Sequence, residues 1–342
     1  MYSFRNDYSE GAHPNVLQAL ADTNLLQTCG YGLDPICEET RDLIRQLCAA
    51  PEADVHFLVG GTQTNLTVIT ALLQSYEAVI AAHTGHVNCH ETGAIETTGH
   101  KVCTAYSADG KVTPAMVESV LMVHEGGGEH MVAPKLVYIS DTTEIGTVYT
   151  KAELTALRHC CDEHGLLLFL DGARLGSALT SPENDLTLPD LAALTDVFTI
   201  GGTKNGALFG EAVVMTVPCG HFRWHMKQRG GMLAKGRLLG VQFKALLTGN
   251  LYFDLARHAN EMAFRLREGF RALGYAFPVP SPSNQQFPVM KNETARQLAA
   301  MGFEFQVERV MDEETTLYRF VTSWATPESA VDDLLNALAQ CQ

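Results

Sequence analysis

The sequence predicts an α/β protein with a large unit on a mostly parallel sheet, followed by a smaller α+β unit. Three observations predict this. Short apolar runs recur along most of the chain, separated by amphipathic stretches of helical length. The runs are continuous rather than alternating in hydrophobicity, as in strands buried on both faces. Strands separated by helices need crossover connections, and these give parallel neighbours.

The elements follow in order. Residues 55–59 read as a strand ending in Gly60 and Gly61, and 62–75 as the helix after it. Residues 78–82 and 136–140 are the next two runs. Residues 151–164 read as a helix closed by Gly165, glycine being favoured just past a helix end. Residues 166–170, 196–200 and 212–216 give three more strands. Residues 241–273 read as one long helical stretch, and Pro278, Pro280, Pro282 and Pro288 then break regular structure. A strand over 317–321 and a helix over 327–340 complete the smaller unit. The division is placed between residues 244 and 245, giving units 1–244 and 245–342.

A chain of 342 residues is long for one core, which agrees with two units. Its formal net charge of −15 repels nucleic-acid phosphates and anionic membranes, so neither is an expected partner. An anionic ligand must instead meet local positive groups. The nine cysteines are odd in number, scattered and without a CxxC pair. They read as reduced thiols, not as a disulfide or zinc framework. The first seven residues have no basic lead or apolar core, and no apolar run approaches the roughly 20 residues that span a bilayer. A soluble, cytoplasmic protein is expected.

In open parallel sheets, ligands sit at the carboxyl ends of the strands. Four such ends carry chemistry. At Gly60-Gly61-Thr62-Gln63-Thr64-Asn65, two glycines open a helix, which makes a phosphate cradle from backbone N–H groups or a plain turn capped by Thr62. Asp171-Gly172-Ala173-Arg174 puts a carboxylate at the end of a buried run, where it needs a cationic partner; a protonated pyridine nitrogen and Arg174 both qualify. Gly201-Gly202-Thr203-Lys204-Asn205-Gly206 sets a lysine among glycines, either as a nucleophile with a lowered pKa or as an exposed turn. His86 follows the run 78–82, placed to stack on a flat ring. His86, His90 and Glu91 match no zinc spacing, and no metal is expected.

In this order and register the segments resemble the threonine aldolase / aromatic amino acid β-eliminating lyase family of fold-type I pyridoxal-phosphate enzymes. Arg5-Asn6-Asp7 with His13-Pro14 is similar to the family's LRSDT opening, and Tyr31-Gly32-Leu33-Asp34-Pro35 to its YGEDP. Gly61-Thr62-Gln63-Thr64-Asn65 is similar to GTxxN. His86 and Glu91 keep the spacing of HxxxxEGG. Asp171 to Leu175 matches DGARL outright, Thr203-Lys204-Asn205-Gly206 stands at the SKG lysine, and Arg319-Phe320-Val321-Thr322 is similar to RxVT.

The resemblance implies pyridoxal 5′-phosphate as cofactor, with Lys204 as the Schiff-base lysine, Asp171 on the pyridine nitrogen and His86 on the ring face. It implies Gly61 and Thr62 at the phosphate, Thr203 and Arg174 among the cofactor-binding residues, and Arg174 and Arg319 at the substrate carboxylate with Asn6 assisting. Tyr31 is implied near the active site across a subunit boundary, with Asp34, His90 and Glu91 close by. Residues 1–35 are implied to pack at the active site or on a neighbouring subunit, in a homodimer or homotetramer with shared sites. Two loops depart from the family. Its THNxxGG histidine is missing from Asp141-Thr142-Thr143-Glu144-Ile145-Gly146, and Leu233 replaces the arginine of GGGMRQ, leaving Arg229, Lys235 or Arg237 as phosphate partners. The implied reaction is cleavage of a β-hydroxy-α-amino acid (threonine, allo-threonine or a relative) to glycine and an aldehyde. A β-eliminating lyase and an inactive binding protein remain open beside it, and the base is left among His86, His90 and water.

Overall fold

The computed structural model describes residues 2–341. Seven strands form the main sheet: β1 (Asp54–Leu58), β2 (Glu77–Ala82), β3 (Val102–Ala105), β4 (Ala133–Ser140), β5 (Leu167–Asp171), β6 (Val197–Gly201) and β7 (Glu211–Met215). Their spatial order is β1-β7-β6-β5-β4-β2-β3. Only β7 runs against its neighbours, antiparallel to both β1 and β6. The remaining pairings are parallel.

Alternate side chains of each strand enter two separate cores, since strand side chains point to opposite faces in turn. Val137, Ile139, Leu168, Leu170, Phe198 and Ile200 belong to one core. Leu136, Tyr138, Phe169 and Val197 belong to the other. Each fully buried Val, Leu or Phe contributes about 1.5–3 kcal/mol, so the continuous apolar runs of the sequence are what a two-sided sheet requires.

Local signals set the helix ends. Thr150 caps Lys151–His164 in a capping box with Glu153, and Gly165 ends it at φ +62°. The expected helix over 62–75 starts at Gly61 and stops at Leu72, where Leu73 is extended. The expected single stretch over 241–273 is two helices, Arg237–Leu247 and Leu251–Ala272. Gly249 separates them at φ +71°, a conformation that glycine enters without a Cβ penalty. Residues 244 and 245, where the sequence placed the division, therefore lie inside a helix.

The smaller sheet pairs Thr315–Val321 with Gln285–Gln286, Val289–Lys291 and Gln306–Val310, all antiparallel. The N-terminal segment is stitched onto the same unit. Tyr2–Ser3 pairs with Phe303–Glu304, and the Val321 amide donates to the Phe4 carbonyl at 2.8 Å. That attachment carries Asp7 and Tyr8 to the carboxyl ends of the main sheet. All nine cysteines are free. No helix among the described residues is long and apolar enough to cross a membrane.

Candidate active site

A cavity of about 290 Å³ opens where the parallel strands end. Seven residues singled out in the sequence line it: Gly61, Thr62, His86, Asp171, Arg174, Thr203 and Lys204. Asp171 is the last residue of β5, and the chain turns sharply after it. A Cβ on Gly172 would lie 1.9 Å from the Thr199 carbonyl oxygen, so only glycine lets the two strand ends approach this closely.

The Asp171 carboxylate is buried and heavily hydrogen-bonded. Oδ2 accepts from the Tyr138 hydroxyl at 2.6 Å and the Asn65 amide at 2.8 Å, and Oδ1 accepts from the Ala173 N–H at 2.9 Å. Burial works to raise its pKa. The charge of His86, the hydrogen bonds from Tyr138 and Asn65, and the charge of Lys204 outweigh burial and hold it below the usual carboxylate range. Asp171 is therefore a fixed negative charge on the cavity wall.

Lys204 follows β6. Burial and the neighbouring Arg174 guanidinium push its pKa down against the pull of Asp7, Asp171 and Glu211. His86 presents its ring to the cavity while Nδ1 is held 2.8 Å from Glu91 Oε1. Glu91 itself is buried outside the lining and also takes the Asn65 amide at 2.8 Å, so Asn65 ties Glu91 to Asp171. Gly60 is the N-cap of Gly61–Leu72, and no side chain, Thr62 included, caps that helix. Its first backbone hydrogen bond is Thr64 N–H to the Gly60 carbonyl, so the amides of Gly61, Thr62 and Gln63 lie ahead of the ladder. A Cβ on Gly60 or Gly61 would meet nothing within 4 Å.

These observations test the cofactor that the resemblance implies, and the residues fit it. A deep carboxylate held ionised suits a protonated ring nitrogen. Free first-turn amides beside open space suit a phosphate. An imidazole and Ala173 offer flat and small surfaces for a ring, and a buried amine of lowered pKa suits covalent attachment.

Arg174 is half committed. Its Nε and Nη2 clasp the buried Asp7 carboxylate at 2.7 and 3.0 Å, and Asn284 supports Asp7 at 3.0 Å. Arg319 lies on Thr315–Val321 outside the lining, with Nη2 on Gln306 and a buried Nε without a partner. Burial and the charge of Arg174 both lower its pKa. Two guanidiniums that repel one another beside a cavity form a place for a carboxylate.

Several expected residues stand apart from the cavity. Asn6 turns its Oδ1 onto the Tyr8 amide and the Ser9 hydroxyl, closing a local turn. Its neighbour Asp7 makes the site contact instead. Asp34 caps Pro35–Leu47 through the Cys37 amide at 2.9 Å. His90 is exposed, its ring centroid 5.6 Å from that of His86. Arg229 caps the end of Phe222–Gln228, and Lys235 is exposed. Arg237 donates to the carbonyls of Asn24 and Leu26. Tyr31, at φ +62°, lines a separate cavity of about 750 Å³ with Trp224, with the Lys227 ammonium 4.8 Å from its ring centroid. That cavity is the larger, yet Lys204, Asp171 and His86 are not in it. Glu118, Cys160 and His164 bring three possible metal ligands together among the described residues, away from both cavities.

The structure adds residues that sequence reasoning passed over. Tyr8, Ser140, Glu144 and Glu211 line the cavity, and Asp7, Asn65 and Tyr138 position those that do. Glu144 lies in the loop that departs from the family. Its Oε1 accepts from the Ser140 hydroxyl at 2.7 Å and the His86 amide at 2.8 Å. Burial raises its pKa above the usual range.

Comparison with known proteins agrees with this picture. The low specificity L-threonine aldolase of Pseudomonas aeruginosa is 32% identical over 336 residues, covering 97% of this chain and 95% of that protein. The low specificity L-threonine aldolase of Saccharomyces cerevisiae is 26% identical over 264 residues, covering 74% of this chain and 66% of that one. A solved Leishmania major threonine aldolase superposes with a TM-score of 0.96 at 49% identity, covering 99% of both chains. Aspartate aminotransferase from Thermus thermophilus, solved with maleate, superposes at 0.73 with 17% identity, covering 99% of this chain and 91% of that one, a likeness of fold alone. The fold is fold-type I. The β-eliminating lyase family model matches residues 4–293, and the chain belongs to that family.

Proposed function

We propose that the chain is a pyridoxal-phosphate-dependent carbon–carbon lyase, an aldolase that cleaves threonine, allo-threonine or a related β-hydroxy-α-amino acid to glycine and an aldehyde. The observation that carries this reading is the cavity that gathers Lys204, Asp171, His86 and Arg174, in a chain similar over nearly its full length to low specificity L-threonine aldolases.

Lys204 would be the attachment point for the cofactor, with Asp171 as the anion for its ring nitrogen and His86 as the flat surface for its ring. The amides of Gly61 and Thr62 would hold its phosphate, and Thr203 lines the same cavity. Bound there, pyridoxal phosphate supplies an electron sink for the pair released when the Cα–Cβ bond breaks. Arg174 and Arg319 hold the substrate carboxylate, which fixes which Cα bond stands in line with that sink. Glu144 takes the proton from the β-hydroxyl, so that the aldehyde carbonyl forms as Cα–Cβ breaks. A carboxyl with a raised pKa is a stronger base than an ordinary one. Arg229 and Lys235 lie outside the cavity of their own chain. Like Tyr31, they act across a subunit boundary in a homodimer or homotetramer.

Product analysis tests the reaction. Purified protein supplied with cofactor is expected to release glycine and acetaldehyde from L-allo-threonine or L-threonine, and glycine and benzaldehyde from phenylserine. Keto acid and ammonia from cysteine, with no glycine from any β-hydroxy amino acid, would assign β-elimination instead.

Glu144→Gln tests the base. The substitution keeps shape and removes the proton acceptor, and a general base contributes 10²–10⁴-fold; kcat is expected to fall by about 100-fold. The sign of the pH effect follows from the raised pKa. The basic form is lost as pH falls through that value, so the acid limb of wild-type kcat lies above the ordinary carboxylate range. The limb is expected to vanish from that position in Glu144→Gln, and an unmoved limb removes Glu144 from the role.

A further inference from the structure

Three side chains with metal-ligating atoms meet between the helices Pro114–Gly127 and Lys151–His164. Cys160 and His164 stand four residues apart on the second helix, so both lie on one face of it. Cys160 turns its Sγ toward the first turn of the other helix, 4.0 Å from the Pro114 carbonyl, and Glu118 lies one turn further along that helix. The thiol sulfur, an imidazole nitrogen and a carboxylate oxygen come within 4.8 Å of one another. None of the three residues lines the cavity that holds Lys204 or the one lined by Tyr31.

Bonds of about 2.0 Å to nitrogen or oxygen and about 2.3 Å to sulfur set the donor atoms of a tetrahedral ion about 3.3–3.8 Å apart. The three atoms need to close by no more than about 1.5 Å to reach that spacing. Cys160 is buried at 4% exposure, while Glu118 and His164 are exposed and have room to turn toward it. The donors are also uncommitted. Among the described residues, the Glu118 carboxylate and the His164 imidazole have no hydrogen-bond or ion-pair partner, and Cys160 has only its long contact with Pro114. No bond of the fold has to break for them to ligate. The surroundings favour a cation as well. Burial and the charges of Glu118 and Glu163 push the Cys160 thiol up, and a bound cation works against all three.

We propose that Glu118, Cys160 and His164 form a binding site for one borderline divalent cation, zinc(II) by preference, which pins the two helices together. On binding, the Cys160 S–H bond breaks, its proton goes to solvent and a sulfur–metal bond takes its place. Glu118 enters as a carboxylate, His164 gives the lone pair of one ring nitrogen, and water fills the fourth position. The thiolate and the carboxylate together balance the two positive charges of the ion, and nothing is oxidised or reduced. A thiolate and an imidazole select zinc over magnesium and calcium, which take oxygen ligands. Such a site has no short signature in the sequence, because Glu118 comes from a different helix from Cys160 and His164.

The test needs no turnover and does not rest on the aldolase reading. Cofactor-loaded, full-length protein is titrated with zinc(II) in competition with a chromophoric chelator, in excess magnesium and without added thiol. One zinc ion per chain is expected to bind in spite of the magnesium. Cys160→Ser and His164→Ala are each expected to weaken that binding by about tenfold or more. Cobalt(II) gives the second readout. Its difference spectrum in the wild type is expected to show a sulfur-to-cobalt charge-transfer band, which is lost in Cys160→Ser and kept at higher cobalt concentration in His164→Ala. If Cys160→Ser does not fold, His164→Ala decides, since its side chain is exposed. Zinc affinity equal in wild type and variants marks an adventitious ion only and overturns the proposal. So does a wild type that takes up no zinc against the chelator, or one whose zinc magnesium displaces.

Discussion

Lys204→Ala is expected to abolish both the Schiff-base absorbance band of the cofactor-loaded protein and its reduction by borohydride onto the chain, and to lower turnover by about 10⁴-fold or more. The size of the effect follows from the role. Removing a nucleophile that forms a covalent intermediate deletes a step, and the residual rate comes from binding and electrostatics alone. No other lysine among the described residues lines the cavity, so none takes its place. Folding is expected to survive, because a buried amine of lowered pKa contributes little to stability and its removal leaves Asp171 with its three hydrogen-bond donors. The cavity also retains its amides and Arg174, so cofactor still binds, reversibly and without the lysine bond. Thermal denaturation near the wild-type temperature with a lost Schiff-base band separates this outcome from misfolding. An unchanged Schiff-base band in Lys204→Ala sinks the assignment.

How much of this was legible in the sequence depended on which way each strand runs. The carboxyl ends of parallel strands can be found by looking just past an apolar run, and that rule located Gly61, His86, Asp171 and Lys204. It misses Glu211, because β7 is antiparallel and brings its first residue, not its last, to the same end of the sheet. Strand direction is a property of pairing and is not written in a run of apolar residues. Tyr138 was hidden for another reason. Within the run 136–140 it reads as core, and its ring does belong to the core, while its hydroxyl reaches Asp171. Asp7 was passed over in favour of Asn6, one residue away, because a motif gives spacing without side-chain direction. The break at Gly249 escaped because a lone glycine is tolerated inside a helical pattern. Asn65, Glu91 and His86 were each within view, but the hydrogen bonds that link them to Asp171 join segments far apart in the chain.

Asp171→Asn is expected to lower kcat by about 10³-fold, some 4 kcal/mol of barrier, while leaving cofactor retention within about tenfold of wild type. The two quantities separate because they draw on different contacts. Retention depends on the lysine bond, the phosphate amides and the ring face, none of which Asp171 supplies. Turnover depends on a ring nitrogen that stays protonated while negative charge develops, and this needs an anion held ionised in a buried place. Tyr138 and Asn65 donate to one Asp171 oxygen and Ala173 to the other, and those bonds, with the charges of His86 and Lys204, hold the carboxylate ionised against its burial. Asparagine keeps the volume and one acceptor oxygen, but it has no charge to offer the nitrogen, and its NH₂ group meets either donors or the Ala173 amide. The pH dependence carries a second signature. A carboxyl held below the usual range contributes its charge at every pH above that value, so wild-type turnover has no limb from Asp171 near neutrality. In Asp171→Asn the ring nitrogen loses its anionic partner, and activity is expected to rise toward acid pH, where protonation from solvent becomes easier. Measuring kcat against pH beside cofactor affinity distinguishes this from a packing defect, which lowers both together and creates no acid-side gain. Equal kcat in the two proteins removes Asp171 from its role.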